Sequence, residues 1–231
     1  EFMKDLDEQL WRLGIPSKTK HNEAAPCQHE MAPIYSDANN ACDDNQLVMA
    51  ILKKCAAKHN LVCLLHEKPF AGISGSGKHD NWSLATDGGL NLFSPGKTPR
   101  QNAQFLVFLA AFIKGIDEYQ DWLRCTVAYA GNDHRLGANE APPAIISLFL
   151  GDELSAVIEA ILSGDKVFGA EKTEMDFGSG AIAKFKRDTT DRNRTSSFAF
   201  TGNKFEFRML GSSFSIAGTN TVINTAVAEE I

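Results

Sequence analysis

Gly72-Ile73-Ser74-Gly75-Ser76-Gly77-Lys78-His79 comes within one residue of a GxxxxGK[ST] phosphate loop. Whether it is one settles the architecture, because a true loop of that type sits in a βαβ unit and opens a helix whose N-terminus holds the phosphates. The final hydroxyl residue is a histidine here. The adjoining stretch, Asp80-Asn81-Trp82-Ser83-Leu84-Ala85-Thr86-Asp87-Gly88-Gly89, is strand and turn material rather than helix. A doubly wound P-loop fold is therefore rejected. The glycines keep one meaning: they let backbone N–H groups come close to an anion.

Outward from this stretch, separated strands and helices alternate without a βαβ rhythm, which points to α+β. Phe2, Met3, Leu6, Leu10 and Leu13 recur at helical spacing, so residues 2–13 read as an amphipathic helix closed by Gly14 and Pro16. Residues 17–35, interrupted by Pro26 and Pro33, suit one or two irregular strands. Asp43 or Asp44 is a candidate cap for a helix that lines up Leu47, Ile51 and Cys55 and ends near Asn60. The apolar run Leu61–Leu65 suits a short buried strand, and residues 66–99 read as one long functional loop. Residues 100–128 are helical with a break near Gly115, 129–143 form a second polar loop, and 144–162 are helical again. Residues 163–202 are rich in glycine and charge, with a possible strand at 181–186. Asn203–Leu210 alternates as a strand does, and 213–229 read as a helix.

Composition removes several function classes. A net charge of −6 argues against a nucleic-acid partner, which calls for a basic surface, but leaves room for a nucleotide in a local basic cleft. The longest apolar run, Phe105–Ile113, is too short for a membrane helix, and the start of the chain lacks a signal-peptide pattern. The cysteines, Cys27, Cys42, Cys55, Cys63 and Cys125, are odd in number and form no CxxC pair. Reduced thiols and a cytoplasmic location are expected. A helical pattern already running at residue 2 and another still running at the last residue lead us to expect a segment of a longer protein.

Five polar constellations are candidates for chemistry. In His21-Asn22-Glu23…Gln28-His29-Glu30 the two glutamates are seven apart, which in one straight strand puts them on opposite faces. A bend at Pro26 would bring both to one site, where hard oxygen ligands suit Mg²⁺ or Mn²⁺; two solvated acids is the plainer alternative. Glu67–Ser83 joins the glycine loop to His79, whose alternative is a structural histidine. The loop Asn132–Pro143 offers Arg135 and Glu140, and Asp191-Arg192-Asn193-Arg194 offers two arginines; both also read as hydrated charged loops. In Phe205-Glu206-Phe207-Arg208 the period of two puts Glu206 and Arg208 on one face and the phenylalanines in the core. That pair is either a surface ion pair or a metal ligand beside a phosphoryl clamp.

Taken together and in this order, these motifs resemble the glutamine synthetases. The family's phosphate loop, KP followed by N-G-S-G-x-H-x-x-x-S, is reproduced at 68–83 with Ser74 in place of the asparagine. The H-x-E…Q-x-E motif is matched at 21–30, R-L…E-A-P at 135–142, R-N-R at 192–194 and E-F-R at 206–208. From about residue 8 to residue 224 the chain resembles the type III branch, including a long insertion over 144–190. The resemblance implies a curved antiparallel sheet backed by helices, shared with guanidino kinases. It places 1–231 in a partial catalytic domain, without the family's N-terminal β domain and C-terminal remainder.

The resemblance also implies an activity: ATP-dependent ligation of ammonium to glutamate through a γ-glutamyl phosphate, in a homododecamer with sites between subunits. On that basis Glu23 and Glu30 hold a metal near the ammonium site, and His79 and Glu206 hold one at the ATP phosphates. Arg208 stabilises the transferring phosphoryl group, Arg194 contacts the phosphates and Arg135 clamps the glutamate α-carboxylate. Ser74 and Gly75 line the substrate site, the Gly75 carbonyl receiving the amino group, and Glu140 takes a proton from ammonium. Tyr35 stands beside adenine, with Asn81, Ser83 and Lys204 at the nucleotide edge. Ala199 occupies the place of a second family arginine. Further metal ligands are expected upstream, so this segment alone is expected to be inactive.

Overall fold

A computed structural model describes residues 1–164, 174–175, 185–186 and 190–231. The element order is α1 (Phe2–Arg12), β1 (Ser17–Asn22), β2 (His29–Pro33), α2 (Ala38–Lys58), β3 (Gly77–Trp82), α3 (Ala103–Glu118), α4 (Gln120–Cys125), α5 (Ala130–Arg135), β4 (Leu148–Phe149), α6 (Asp152–Leu162), β5 (Glu174–Met175), β6 (Phe185–Lys186), β7 (Phe198–Phe200), β8 (Phe205–Gly211) and α7 (Ala217–Glu230). This is an α+β arrangement. The main sheet runs β3-β8-β7-β4, antiparallel except at one edge, where the two-residue β4 pairs parallel with β7. The sheet is thus mixed rather than purely antiparallel.

The period-two reading of β8 holds. Phe205 and Phe207 are fully buried, and Phe205 stacks on Phe112 of α3 with ring centroids 3.7 Å apart and 11° between planes. Trp82, Phe93, Phe105, Phe198, Ile223 and Val227 complete this core, which packs one face of the sheet against α3 and α7. Fully burying each large apolar side chain contributes roughly 1.5–3 kcal/mol. Gly115 belongs to this packing. A Cβ there would lie 3.0 Å from the Ala226 carbonyl oxygen of α7. It does not break the helix; α3 gives way to α4 at Tyr119. A smaller core joins α1 to α2 through Leu6, Leu10, Ile15, Val48 and Cys55. Gly14, at φ +79°, ends α1 as its position suggested.

Several expectations fail for identifiable reasons. Asp37, not Asp43 or Asp44, caps α2, accepting from the Asn40 amide at 3.1 Å, so the helix begins earlier than its apolar face does. Leu47 is 44% exposed, and Val48 takes the core position instead. Leu61–Leu65 forms no strand: no neighbouring strand pairs with it among the described residues, and Val62 is 84% exposed. Residues 144–162 are not one helix, because Gly151 at φ +82° separates β4 from α6. The loop 66–99 contains β3, and 129–143 contains α5. The proposed strand at 181–186 and much of the 144–190 insertion lie outside the described residues, though β6 falls at 185–186. No helix among the described residues is long and apolar enough to cross a membrane.

Candidate active site

The β1–β2 hairpin solves the spacing problem of the two glutamates. They lie not on one strand but on either side of a turn, with His21 opposite Glu30 in register and the Glu23 amide bonded to the Gln28 carbonyl at 2.9 Å. The Glu23 and Glu30 carboxyls lie close enough to act on each other's ionisation, and His21 Nε2 lies 2.7 Å from Glu23 Oε1. Ligand atoms of His21, Glu23 and Glu30 all fall within 4.8 Å of one another. Two carboxyls this close titrate as a pair sharing a proton. Glu30, together with His21 and against the effect of burial, holds Glu23 below the usual carboxylate range; burial and then Glu23 push Glu30 up. A divalent cation can take the place of that proton, and two oxygens with one imidazole suit Mg²⁺ or Mn²⁺. His21 is a ligand candidate to which the sequence motif assigned no role.

Beside the hairpin, a polar row runs over the face of the sheet opposite the phenylalanines. His79 Nδ1 on β3 lies 3.0 Å from Glu206 Oε1 on β8. Arg208 Nε donates to the same oxygen at 2.8 Å, and its Nη1 donates to Asp191 Oδ2 at 3.0 Å and to the Asp191 carbonyl at 2.9 Å. Burial works against the Glu206 charge, but His79 and Arg208 outweigh it and hold the carboxyl at about 2. The row adjoins the hairpin, since His79 acts electrostatically on Glu30 and Arg194 on Glu23. Ala199 faces Glu206 in register on β7 and is buried. Asp191, missed in the sequence as the anchor of Arg208, is itself fixed by bonds from the Thr195 and Ser196 amides.

Two loops meet at the edge of this row. Arg194 and Glu140 both adopt left-handed backbone, at φ +52° and +58°, and the Arg194 guanidinium donates to the Glu140 carbonyl. Non-glycine residues held in this region store backbone strain that surrounding contacts must outweigh.

Arg135 departs from expectation. Its guanidinium is not free for a carboxylate: the residue is 5% exposed and donates to Asn132 Oδ1 and to the carbonyls of Arg208 and Leu210. It lies under the glycine loop, where a Cβ on Gly77 would meet its guanidinium at 2.6 Å and a Cβ on Gly75 would meet its stem at the same distance. Burial pulls its pKa down to about 10. Glu67, part of the loop motif but without a role in it, is fully buried. It accepts from the Ser213 amide and hydroxyl, at 2.8 and 2.6 Å, and from Tyr129, while its carbonyl takes the Ser76 amide at 2.9 Å. The glycine loop is therefore tied down from beneath. Its lysines are spent on carbonyls: Lys68 on Ile73 and Lys78 on Phe214.

Among the remaining candidates, Ser74 is half-buried on the loop. The Gly75 carbonyl faces the Gln28 amide nitrogen at 3.4 Å. Tyr35 projects from the end of β2, 93% exposed. Asn81 is exposed and pairs with Glu206 in register. The Ser83 hydroxyl donates to the Asn203 carbonyl at 2.8 Å, and the Lys204 carbonyl accepts from the Thr201 amide at 2.8 Å. A separate apolar cavity of about 740 Å³ between α3, α6 and β4 is lined by none of these residues.

An acid-rich hairpin, a His–Glu–Arg row on an adjoining sheet and a tethered glycine loop define a polar site of clustered carboxylates, imidazoles and guanidinium groups, and the comparisons assign its family. The glutamine synthetase catalytic-domain model matches residues 1–147, and the chain belongs to the glutamine synthetase family. A glutamine synthetase of Butyrivibrio fibrisolvens is 60% identical over 205 residues, covering 89% of this chain and 29% of that protein. A type-3 glutamine synthetase of Dictyostelium discoideum is 55% identical over 229 residues, covering 99% of this chain and 31% of it. The chain thus spans about a third of the length of the curated relatives it matches. A cryoEM structure of Plasmodium falciparum glutamine synthetase has the same fold at a TM-score of 0.70 and 18% identity, covering all of this chain and 37% of that one. Ligand-free GmaS superposes equally well, at 0.70 and 19% identity, over all of this chain and 44% of its own.

Proposed function

We propose that this chain supplies much of the active site of an ATP-dependent glutamate–ammonia ligase that makes glutamine through a γ-glutamyl phosphate. The observation that carries the reading is the electrostatic coupling of the His21–Glu23–Glu30 cluster to the His79–Glu206–Arg208 row, with His79 acting on Glu30. Mg²⁺ or Mn²⁺ held by Glu23 and Glu30, and by His79 and Glu206, supplies neutralisation of phosphate charge when bound. His21 is a further ligand at the first position. Arg208, fixed by Glu206 and Asp191, presents a pre-oriented positive charge to the transferring phosphoryl group. Arg194 contacts the phosphates, and through its bond to Glu140 it couples their arrival to the loop that takes a proton from ammonium. The Gly75 carbonyl receives the glutamate amino group beside Ser74. Arg135, held by Asn132 and by the Arg208 and Leu210 carbonyls, supports the glycine loop from beneath and fixes its position in the site. Tyr35, Asn81, Ser83 and Lys204 form the nucleotide edge.

The complete protein is proposed to be a homododecamer and the segment alone to be inactive, both on the family resemblance, and a cytoplasmic location is proposed from the scattered, unpaired cysteines. The test is glutamine formation from ATP, glutamate and ammonium by the full-length protein. Glu30→Gln and Glu206→Gln should each lower kcat/KM by roughly 10²-fold or more, in line with loss of a pre-organised electrostatic group. Unchanged turnover in both variants overturns the reading.

A further inference from the structure

Away from this site, Asp5 of α1 and Cys55 and His59 of α2 bring a carboxylate, a thiol and an imidazole together. Cys55 and His59 are four apart, so they share one face at the end of the helix. The packing of Leu6 and Leu10 against Val48 and Cys55 sets Asp5 opposite them. Cys55 Sγ lies 3.5 Å from Asp5 Oδ2, and His59 Nε2 lies 3.1 Å from the same oxygen. A tetrahedral zinc ion with bonds of ~2.3 Å to sulfur and ~2.0 Å to nitrogen and oxygen requires edges of about 3.5 Å and 3.3 Å. The trio therefore already stands within a few tenths of an ångström of two edges of such a site.

Three further features suit a metal. Cys55 is fully buried, while the Asp5 and His59 side chains are 37% and 24% exposed, giving an entry path and room for a fourth ligand. The Phe2 ring stands edge-on to His59 with centroids 5.9 Å apart, limiting rotation of the imidazole. Gln9, one turn beyond Asp5, interacts through its side chain with both the Asp5 carboxyl and the Cys55 thiol, while its buried amide nitrogen makes no close hydrogen bond. A metal-bound thiolate is a stronger acceptor for that donor than a neutral thiol. We propose that Asp5, Cys55 and His59 form a second cation site, for a thiolate-accepting tetrahedral divalent ion of the Zn²⁺ class, clamping α1 to α2. Binding replaces the thiol proton, which passes to solvent, and leaves the ligand set and ion with no net charge.

The test uses the reduced, metal-free 231-residue chain titrated with Co²⁺ as a spectroscopic stand-in. One equivalent should give tetrahedral d–d bands and a thiolate-to-cobalt charge-transfer band, both lost on addition of Zn²⁺. Cys55→Ser should abolish the charge-transfer band, and the more exposed His59→Gln should weaken Co²⁺ binding about tenfold or more. Circular dichroism establishes that each variant is folded. Glu30→Gln and Cys27→Ser should leave the band intact, separating this site from the hairpin and from exposed thiols. A trio that is only hydrogen-bonded would give no band in the parent chain, and the proposal would fall. It would fall equally if the band persisted in folded Cys55→Ser, or disappeared with Cys27→Ser.

Discussion

Asp80→Asn isolates the energetic cost of one ionised side chain. Asp80 is 8% exposed on the core side of β3, and Asn220 of α7 donates to its Oδ2 at 3.0 Å. Burial, partly offset by that bond, pushes its carboxyl from 3.8 up to about 6. A difference of about 2 pH units corresponds to about 3 kcal/mol. Between roughly pH 4 and 6 the folded chain holds more protons at this position than the unfolded chain, so stability falls as pH rises through that window. Asparagine keeps an oxygen for the Asn220 N–H and cannot ionise. At about pH 4 variant and parent should therefore be equally stable, and near pH 8 the variant should be more stable by up to about 3 kcal/mol. Urea denaturation across that range measures this directly. A second readout is Cys42, whose thiol is pushed up by burial and then by the charges of Asp80 and Asp43. Its pKa should fall in the variant. Parallel pH profiles for the two proteins would refute the reasoning, since they would mean that Asp80 does not titrate in the folded state as described.

Two further substitutions probe the scaffold beneath the site. Glu67→Ala strands the Ser213 amide and leaves the Ser213 and Tyr129 hydroxyls only each other, 3.2 Å apart, and should cost about 1.5–3 kcal/mol by thermal denaturation. Glu67→Gln keeps an acceptor and should cost less; equal losses would show that the bonds are not what matters. Gly115→Ala gains roughly 1 kcal/mol of helix propensity but drives a methyl group to 3.0 Å from the Ala226 carbonyl oxygen. Overpacking of about 1–3 kcal/mol should win, and a rise in melting temperature would contradict the tight α3–α7 contact.

Legibility in the sequence followed the locality of each cause. The helix α1 was plain because its apolar spacing, Gly14 and Pro16 all act within a few residues. The strand β8 was plain because alternation of Phe205 and Phe207 with Glu206 and Arg208 reports the two faces directly. The start of α2 was obscured because Ala38–Asp44 are poor apolar markers, while the decisive cap, Asp37, acts before any periodicity begins. Leu61–Leu65 had the composition of a strand but no partner to pair with among the described residues. In the candidate site, the charged residues were recognisable as motifs, but their partners were not. Asp191 beneath Arg208, and the carbonyls of Arg208 and Leu210 around Arg135, are brought in by packing across 17, 73 and 75 residues of sequence. No local pattern encodes such contacts.

The fit of Arg135 beneath Gly77 constrains how this region is able to vary over time. An alanine at 77 would push the guanidinium aside, and the guanidinium can yield only by loosening its bonds to Asn132 and to the Arg208 and Leu210 carbonyls. A smaller residue at 135, however, strips the Arg208 and Leu210 carbonyls of their donor inside a buried space, at a cost of about 1–3 kcal/mol. Neither change is neutral as a first step, and the second repairs only the volume left by the first. Homologous chains should therefore keep this glycine and this arginine together or exchange both, and single-exchange intermediates should be rare, even though 58 positions separate the two in sequence.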